Sequence, residues 1–172
     1  KMFANIAFFN NFFKSRVNST IYAEWKNTCI GNKAGISLAT GGSNIIVGSE
    51  AGYNTVDVSR AVIIGKNACY AGDMTADADG TIAIGYAAGA AITQGQYNTA
   101  IGYEALKTAT ELDSNTAIGY QALKVHSGSA GYGENTAVGY QTGVAMTTGY
   151  ANTLVGRSSG ASLTTGYQNV VV

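Results

Sequence analysis

A short pattern of apolar and polar residues recurs through most of this chain. It is clearest at 98–106, which reads Asn-Thr-Ala-Ile-Gly-Tyr-Glu-Ala-Leu, and it returns almost unchanged at 115–123 and 135–141. In each copy the glycine follows an isoleucine or a valine, and consecutive glycines are 17 or 20 residues apart. These repeat glycines are Gly31, Gly48, Gly65, Gly85, Gly102, Gly119, Gly139 and Gly156. Self-similarity at such a short period predicts a repeat protein whose units stack on one another.

The residues just before each repeat glycine have the character of a β-strand. They are rich in β-branched side chains, which favour extended chain. Alternation puts the residue before the glycine on the same face as the residue two positions earlier. We assign this face to the core, so that Ile64, Ile101 and Val138 are predicted to lie in a continuous buried spine. The opposite face carries mostly alanine, which is small enough for another backbone to approach.

A second alternating stretch follows the glycine in several copies. Examples are Ile36 with Leu38 and Val144 with Met146, and a further glycine such as Gly149 then turns the chain back. Two strands of about four residues and two turns account for one 17-residue unit, whereas a helical hairpin needs about 34 residues. The sequence therefore predicts an all-β protein, a parallel β-roll or β-helix of about eight rungs over residues 27–172.

Stacked rungs place equivalent residues above one another at the strand spacing of ~4.7 Å. An asparagine column is then expected to form an amide ladder, and a tyrosine column is expected to stack along an outer edge or a subunit seam. The asparagines are Asn27, Asn44, Asn98, Asn115, Asn135, Asn152 and Asn169, and the tyrosines are Tyr86, Tyr103, Tyr120 and Tyr140. Because one chain has a thin core, we expect a homotrimer that buries the Ala/Gly face and the tyrosines.

Residues 1–26 do not follow the repeat. Met2, Ile6, Phe9 and Phe13 have the spacing of one helical face. We interpret this segment as an N-terminal cap or linker with a helical pattern. As a cap, it would cover the open end of the repeat array. An amphipathic helix lying on a membrane is the alternative.

Composition narrows the classes of partner. The formal net charge is zero and 12% of the residues are charged, so non-specific electrostatic binding to nucleic acid is not expected. No stretch approaches the ~18 apolar residues of a membrane span. Cys29 and Cys69 fall in different columns of the repeat, so we expect buried small side chains rather than a disulfide.

Two units are three residues longer than the others, and their extra residues fall at the same place, within 70–80 and 124–134. Insertions in repeat arrays become loops on one face, often the binding face. The sequence therefore nominates these loops for receptor binding. The candidate residues are Asp73, Asp77, Asp79, His126 and Tyr132.

The same loops offer little for catalysis. Three aspartates before Gly80 resemble a calcium loop, but Thr75 and Tyr86 stand where its first and twelfth ligands belong, so we expect a solvated acidic turn. His126 is the only histidine of the chain, and its Ser/Gly-rich surroundings predict a solvent-exposed side chain. We nominate no catalytic residue, metal or cofactor, and we do not expect an enzyme.

The run at 115–123, its 17-residue recurrence and the Thr-Thr-Gly-Tyr turns at 147–150 and 164–167 resemble the repeats of bacteriophage tail fibres and tail spikes. They are also similar to the head repeats of trimeric autotransporter adhesins, from which the period and the Tyr-Gln-Ala-Leu continuation depart. The resemblance implies a trimeric fibre segment on a virion tail or an extracellular cell surface. It would join other virion or fibre proteins and attach to a host-surface receptor or glycan.

Two other functions remain open from the sequence. Ranks of threonine can order water, which is typical of an ice-binding solenoid, although Ile45, Val62 and Ile82 interrupt the threonine column. A glycan-degrading β-helix enzyme would need paired carboxylates across a groove, and no column of the repeat supplies them.

Overall fold

The computed structural model describes residues 26–128 and 132–172, and these residues form one parallel β-solenoid. Nine strands pair in chain order within one sheet. The strands are β1 (Thr28–Ile30), β2 (Ile45–Val47), β3 (Val62–Ile64), β4 (Ile82–Ile84), β5 (Thr99–Ile101), β6 (Thr116–Ile118), β7 (Thr136–Val138), β8 (Thr153–Val155) and β9 (Val170–Val171). The predicted all-β solenoid is confirmed. The cap or helix predicted for residues 1–26 lies outside the described residues, apart from Lys26.

The register of the sheet is the register of the sequence repeat. Thr99 pairs with Thr116, and Thr116 pairs with Thr136 across the longer unit. The three extra residues of a 20-residue unit are therefore absorbed in the connecting loop and leave the strands aligned. Equivalent side chains consequently form columns along the whole sheet.

Each rung contains one strand, not the two that were predicted. The residues after the repeat glycine form turns, although their backbones still bond from rung to rung, as from Leu106 N to Ala122 O at 3.0 Å. The reason is local: Glu104 and Leu106 have φ values of 54° and 51°, and this left-handed conformation recurs at the equivalent positions of the other rungs. Extended chain cannot contain such residues, so the alternation of side chains there arises from turns.

The faces of the strands are the reverse of the prediction. The middle residue of β2 to β8 is buried inside the coil, as Ile63, Ala100 and Ala117 show. The flanking residues point outward: Ile64, Ile101 and Val138 are half-buried, and Ile30 is 46% exposed. The prediction of a buried Ile/Val spine is therefore wrong, and so is the prediction of an outward alanine face. Alternation defines two faces of a strand without showing which one faces inward. The interior is largely filled by residues of the turns, such as Ile92, Leu106 and Leu112, and β4 to β7 place only alanine there.

The interior is filled by side chains that complement one another in size. In most rungs where the fourth residue after the repeat glycine is glycine, a bulky residue stands three positions further on, as in Gly89 with Ile92 and Gly143 with Met146. A Cβ atom on Gly89 would lie 2.8 Å from Cδ1 of Ile92. In the next rung the arrangement is exchanged, because Leu106 precedes Ala109. Dense packing of this kind leaves no space for a bulky residue at both positions of these rungs.

The asparagine column forms the predicted amide ladder. Asn115 N and Nδ2 donate to Oδ1 of Asn98 at 3.0 and 3.2 Å, and Asn135 makes the equivalent bonds to Asn115. The Nδ2 of Asn98 also donates to the carbonyl of Leu112 at 2.6 Å. These amides satisfy backbone groups at the corner before most of the strands, where the groups would otherwise be buried without partners. Ala61 and Thr81 take the place of asparagine before β3 and β4.

Both cysteines are free, as expected. Cys69 is fully buried and Cys29 is half-buried. Burial raises the pKa of the Cys69 thiol to about 12, so this thiol is held protonated and unreactive. Over the described ranges, no helix is long and apolar enough to cross a membrane.

Candidate attachment surfaces

The first insertion presents two free carboxylates and uses a third for structure. Asp73 and Asp77 are exposed, and Asp77 lies in a short 3₁₀ turn, Ala76–Ala78. Asp79 instead accepts a hydrogen bond from the backbone N–H of Ser59 at 2.6 Å and pairs with Arg60 at 2.5 Å. Asp79 therefore ties the insertion to the previous rung, which leaves Asp73 and Asp77 as the accessible acids of this loop.

His126 is buried, so the expectation of a solvent-exposed histidine is wrong. It occupies the interior column that holds Ile92 and Met146 in other rungs. Its Nε2–H donates to the carbonyl of Gly149 at 2.8 Å, and its Nδ1 has no partner among the described residues. Burial lowers the pKa of His126, which keeps the ring neutral. His126 is thus not available to an external ligand.

Tyr132 is exposed on the second insertion. Its ring is 55% exposed and stands edge-on to Tyr150 at 5.5 Å between centroids. The two insertions are three rungs apart, which corresponds to roughly 14 Å at the strand spacing. The five nominated residues therefore do not converge on one site: Asp73 and Asp77 belong to one loop and Tyr132 to another.

The predicted tyrosine column forms a ladder of stacked rings. Tyr86, Tyr103, Tyr120 and Tyr140 have consecutive centroid separations of 5.0, 5.2 and 5.1 Å, with interplanar angles of 18° or less. Each ring is 40–45% exposed, and the guanidinium of Arg157 lies 5.7 Å from the centroid of Tyr140. Because the rings cover one another's faces, the ladder presents ring edges and hydroxyl groups rather than open faces for stacking on sugars.

A polar chain runs beside the tyrosine ladder. Gln141 donates to Gln121, and Gln121 donates to Glu104, each at 3.0 Å. Lys107 and Lys124 approach the same carboxylate at 2.7 and 2.8 Å. The hydrogen bond from Lys107, followed by that from Lys124, lowers the pKa of Glu104 to about 2. The positive charge of the two lysines is thus partly neutralised by a buried carboxylate.

The outward residues of the strands form a surface that sequence reasoning assigned to the interior. We call it the outer stripe, and it comprises the first and third residues of each strand from β1 to β8. Eight of these residues are Ile or Val in the third position, and the first position holds Thr, Ile or Val. Eight rungs of three residues cover roughly 400 Å², a size at which apolar patches on monomeric proteins are often functional.

The described residues contain no group of three or more His, Cys, Asp or Glu side chains placed to hold a metal ion. The described surfaces present exposed carboxylates and an exposed tyrosine on the two insertions, and the outer stripe along the strands. No protein-family model matches this sequence, and no curated protein or solved structure matches it either.

Proposed function

We propose that this chain is a structural segment of a trimeric fibre, of the kind found in a phage tail fibre or a bacterial surface adhesin. It would hold receptor-binding loops away from a virion tail or a cell surface. The similarity of its repeats to those of tail fibres and autotransporter heads supports the proposal, and so does the regular stacking of its rungs.

The observation that carries the proposal is the outer stripe. Its Ile and Val side chains face away from the coil along eight consecutive strands. A continuous β-branched surface of this length in water costs free energy, and covering it with other copies of the chain removes that cost. Three copies around an axis parallel to the rod would give the homotrimer, with the outer stripe in place of the Ala/Gly face as its contact.

Attachment is assigned to the exposed residues of the insertions. Asp73 and Asp77 can accept hydrogen bonds from hydroxyl groups, and Tyr132 offers an exposed ring and a phenol. This combination suits a host-surface glycan or a polar protein receptor. Repetition of the site in every copy of a trimer would raise the avidity of weak individual contacts.

Binding of the labelled chain to an array of bacterial capsule and lipopolysaccharide glycans, and to intact bacterial cells, tests this assignment. We expect binding that Tyr132→Ala and Asp77→Ala each reduce by about tenfold. Tyr167→Ala is the matched control, because Tyr167 is 57% exposed but lies in a unit without an insertion. An equal loss with Tyr167→Ala, or no binding to any surface, would contradict the proposal.

An ice-binding solenoid is a second candidate because of where the threonines lie. Thr99, Thr116, Thr136 and Thr153 are aligned in consecutive strands, and their side chains point outward with the outer stripe. Thermal hysteresis in a cooled solution of the protein would support this function, and ordinary freezing at the melting point would exclude it.

A further inference from the structure

Although the net charge of the chain is zero, its charged side chains are separated by sign into two segments of each rung. The segment of each rung from one to five residues after the repeat glycine carries five basic and two acidic side chains, and we call it the basic edge. They are Lys33, Lys66, Lys107, Lys124, Arg157, Glu50 and Glu104. The tyrosine ladder lies on this edge.

The opposite segment, from eight residues after one repeat glycine to five before the next, carries seven acidic side chains and one arginine. We call it the acidic edge. Its charged residues are Asp57, Asp73, Asp77, Asp79, Glu111, Asp113, Glu134 and Arg60.

Ion pairs within the chain sharpen this separation. On the basic edge, Glu50 pairs with Lys33 at 3.6 Å, and Glu104 is held by two lysines. Lys66 and Arg157 form no ion pair with any described residue. On the acidic edge, Arg60 is paired with Asp79. The uncompensated charges are thus positive on one edge and negative on the other.

The two edges border the outer stripe on its two sides. The basic edge begins directly after the glycine that follows each strand, and the acidic edge ends at the residue before the corner position, which is asparagine in most rungs and directly precedes the strand. The outer stripe offers roughly 400 Å², whereas stable interfaces bury ~800 Å² per partner. A second copy that covers the stripe must therefore also contact the edges.

Parallel and antiparallel association differ in which edges meet. When parallel copies surround an axis along the rod, each copy turns its basic edge toward the acidic edge of the next copy, which is a heterologous contact. Antiparallel pairing across the stripe brings like edges together, and like charges at an interface cost several kcal/mol.

We propose that the basic edge of one copy and the acidic edge of the next, with Asp73, Asp77 and Tyr132 left free for a receptor, form the lateral contacts of the assembly, and that the charges of the two edges enforce a parallel arrangement. This inference rests on the proposed trimer. It specifies which surfaces of neighbouring copies meet and that the copies are parallel. Lys66 and Arg157 on one edge, and Glu111 and Glu134 on the other, are exposed in the single chain and free for such contacts.

Charge reversal tests the inference, with sedimentation to measure mass and circular dichroism to check folding. The first variant is Lys66→Glu with Arg157→Glu, and the second is Glu111→Lys with Glu134→Lys. We expect each variant to raise the concentration for half-assembly by about tenfold or more, because each reduces the opposite charge that faces the neighbouring copy. Wild-type assembly should also weaken as salt increases.

The outcomes separate this inference from the trimer on which it rests. A wild-type trimer whose assembly is unchanged by both reversals and by salt overturns the paired edges and leaves the trimer intact. A wild-type chain that stays monomeric at every concentration overturns both.

Discussion

At the scale of single residues, the repeat glycines are the positions where side-chain identity matters most. Gly102 has φ of 138°, a conformation that L-residues rarely adopt. A Cβ atom there would lie 2.2 Å from the carbonyl oxygen of Gly119 in the next rung. The glycine column therefore permits both the turn after the strand and the close approach of successive backbones.

Two glycines allow these effects to be measured separately. Gly102→Ala should lower the free energy of unfolding by about 4 kcal/mol or more, because backbone strain and a clash with backbone add together. Gly156→Ala should cost only about 1–3 kcal/mol, because Gly156 shares the unusual φ but its nearest neighbour is 3.9 Å away. Urea denaturation followed by circular dichroism gives both values. Equal losses of unfolding free energy in the two variants would contradict the close approach of the Gly102 and Gly119 backbones.

His126 makes stability depend on pH in a predictable direction. Its folded-state pKa lies below the ordinary 6.5 because burial disfavours the charged ring, so the unfolded chain binds the proton first as pH falls. Stability should be complete above pH 6.5 and decline below it, by at most ~1.4 kcal/mol per pH unit for this one proton. The buried contacts around the ring, Gly149 O and the amide of Asn135 at 3.5 Å, offer no compensating charge.

His126→Met is the matched variant, because Met146 fills the same column in the following rung. Urea midpoints at pH 7 and pH 5.5 should differ more for the wild type than for the variant. The same pH dependence in both proteins would mean that His126 is protonated equally in the folded and unfolded states, against its burial.

At the scale of the strand and its corner, the amide ladder is the element that joins one rung to the next. Asn115→Ala removes an acceptor for Asn135 N and a donor to Asn98, all of them buried. Because buried groups lose their partners, we expect a loss of about 2–4 kcal/mol in unfolding free energy.

Asn32→Ala is the control for the ladder, since Asn32 is exposed and lies outside the asparagine column. It should change stability by less than about 0.5 kcal/mol. Calorimetric or denaturant unfolding of the two variants side by side measures the difference, and similar losses would remove the special role of the ladder.

The same elements show how far sequence reasoning reaches. The period of the repeat glycines predicts the register of the strands, because equivalent residues must align when rungs stack, and the asparagine and tyrosine columns follow from it. The inward face could not be predicted, since alternation in Thr-Ala-Ile is the same whichever side faces in. One usable signal was the exchange of Gly89 and Ile92 for Leu106 and Ala109, because one bulky residue paired with one small residue in successive rungs is typical of two interior positions that pack together.

Other features needed three-dimensional context. The prediction of a second strand was wrong because residues such as Glu104 adopt the left-handed conformation. Since they are not glycine, their residue type does not indicate that conformation. His126 was misread because its Ser/Gly-rich neighbours suggest a loop, whereas the column it shares with Met146 is interior. Of the nominated loop residues, Asp79 proved structural only when its contacts with Ser59 and Arg60 were seen.

At the scale of the whole molecule, the described residues form a rod whose rungs contact their neighbours in the stack. In such an array stability comes from the rungs and the contacts between adjacent rungs, so length can grow without a larger core. The rod leaves one long side, the outer stripe, without a partner in the single chain. In the proposed trimer, association would cover that side, and Asp73, Asp77 and Tyr132 would stay free for attachment.

The central claim is that the outer stripe points out of the coil and is covered by other copies of the chain. Sedimentation of the wild type beside the double variant Ile101→Asp with Ile118→Asp tests it most directly. The account predicts three chains per particle for the wild type, and a single chain with the wild-type β signature in circular dichroism for the variant. A monomeric wild type, or a variant that still sediments as three chains, would contradict the account.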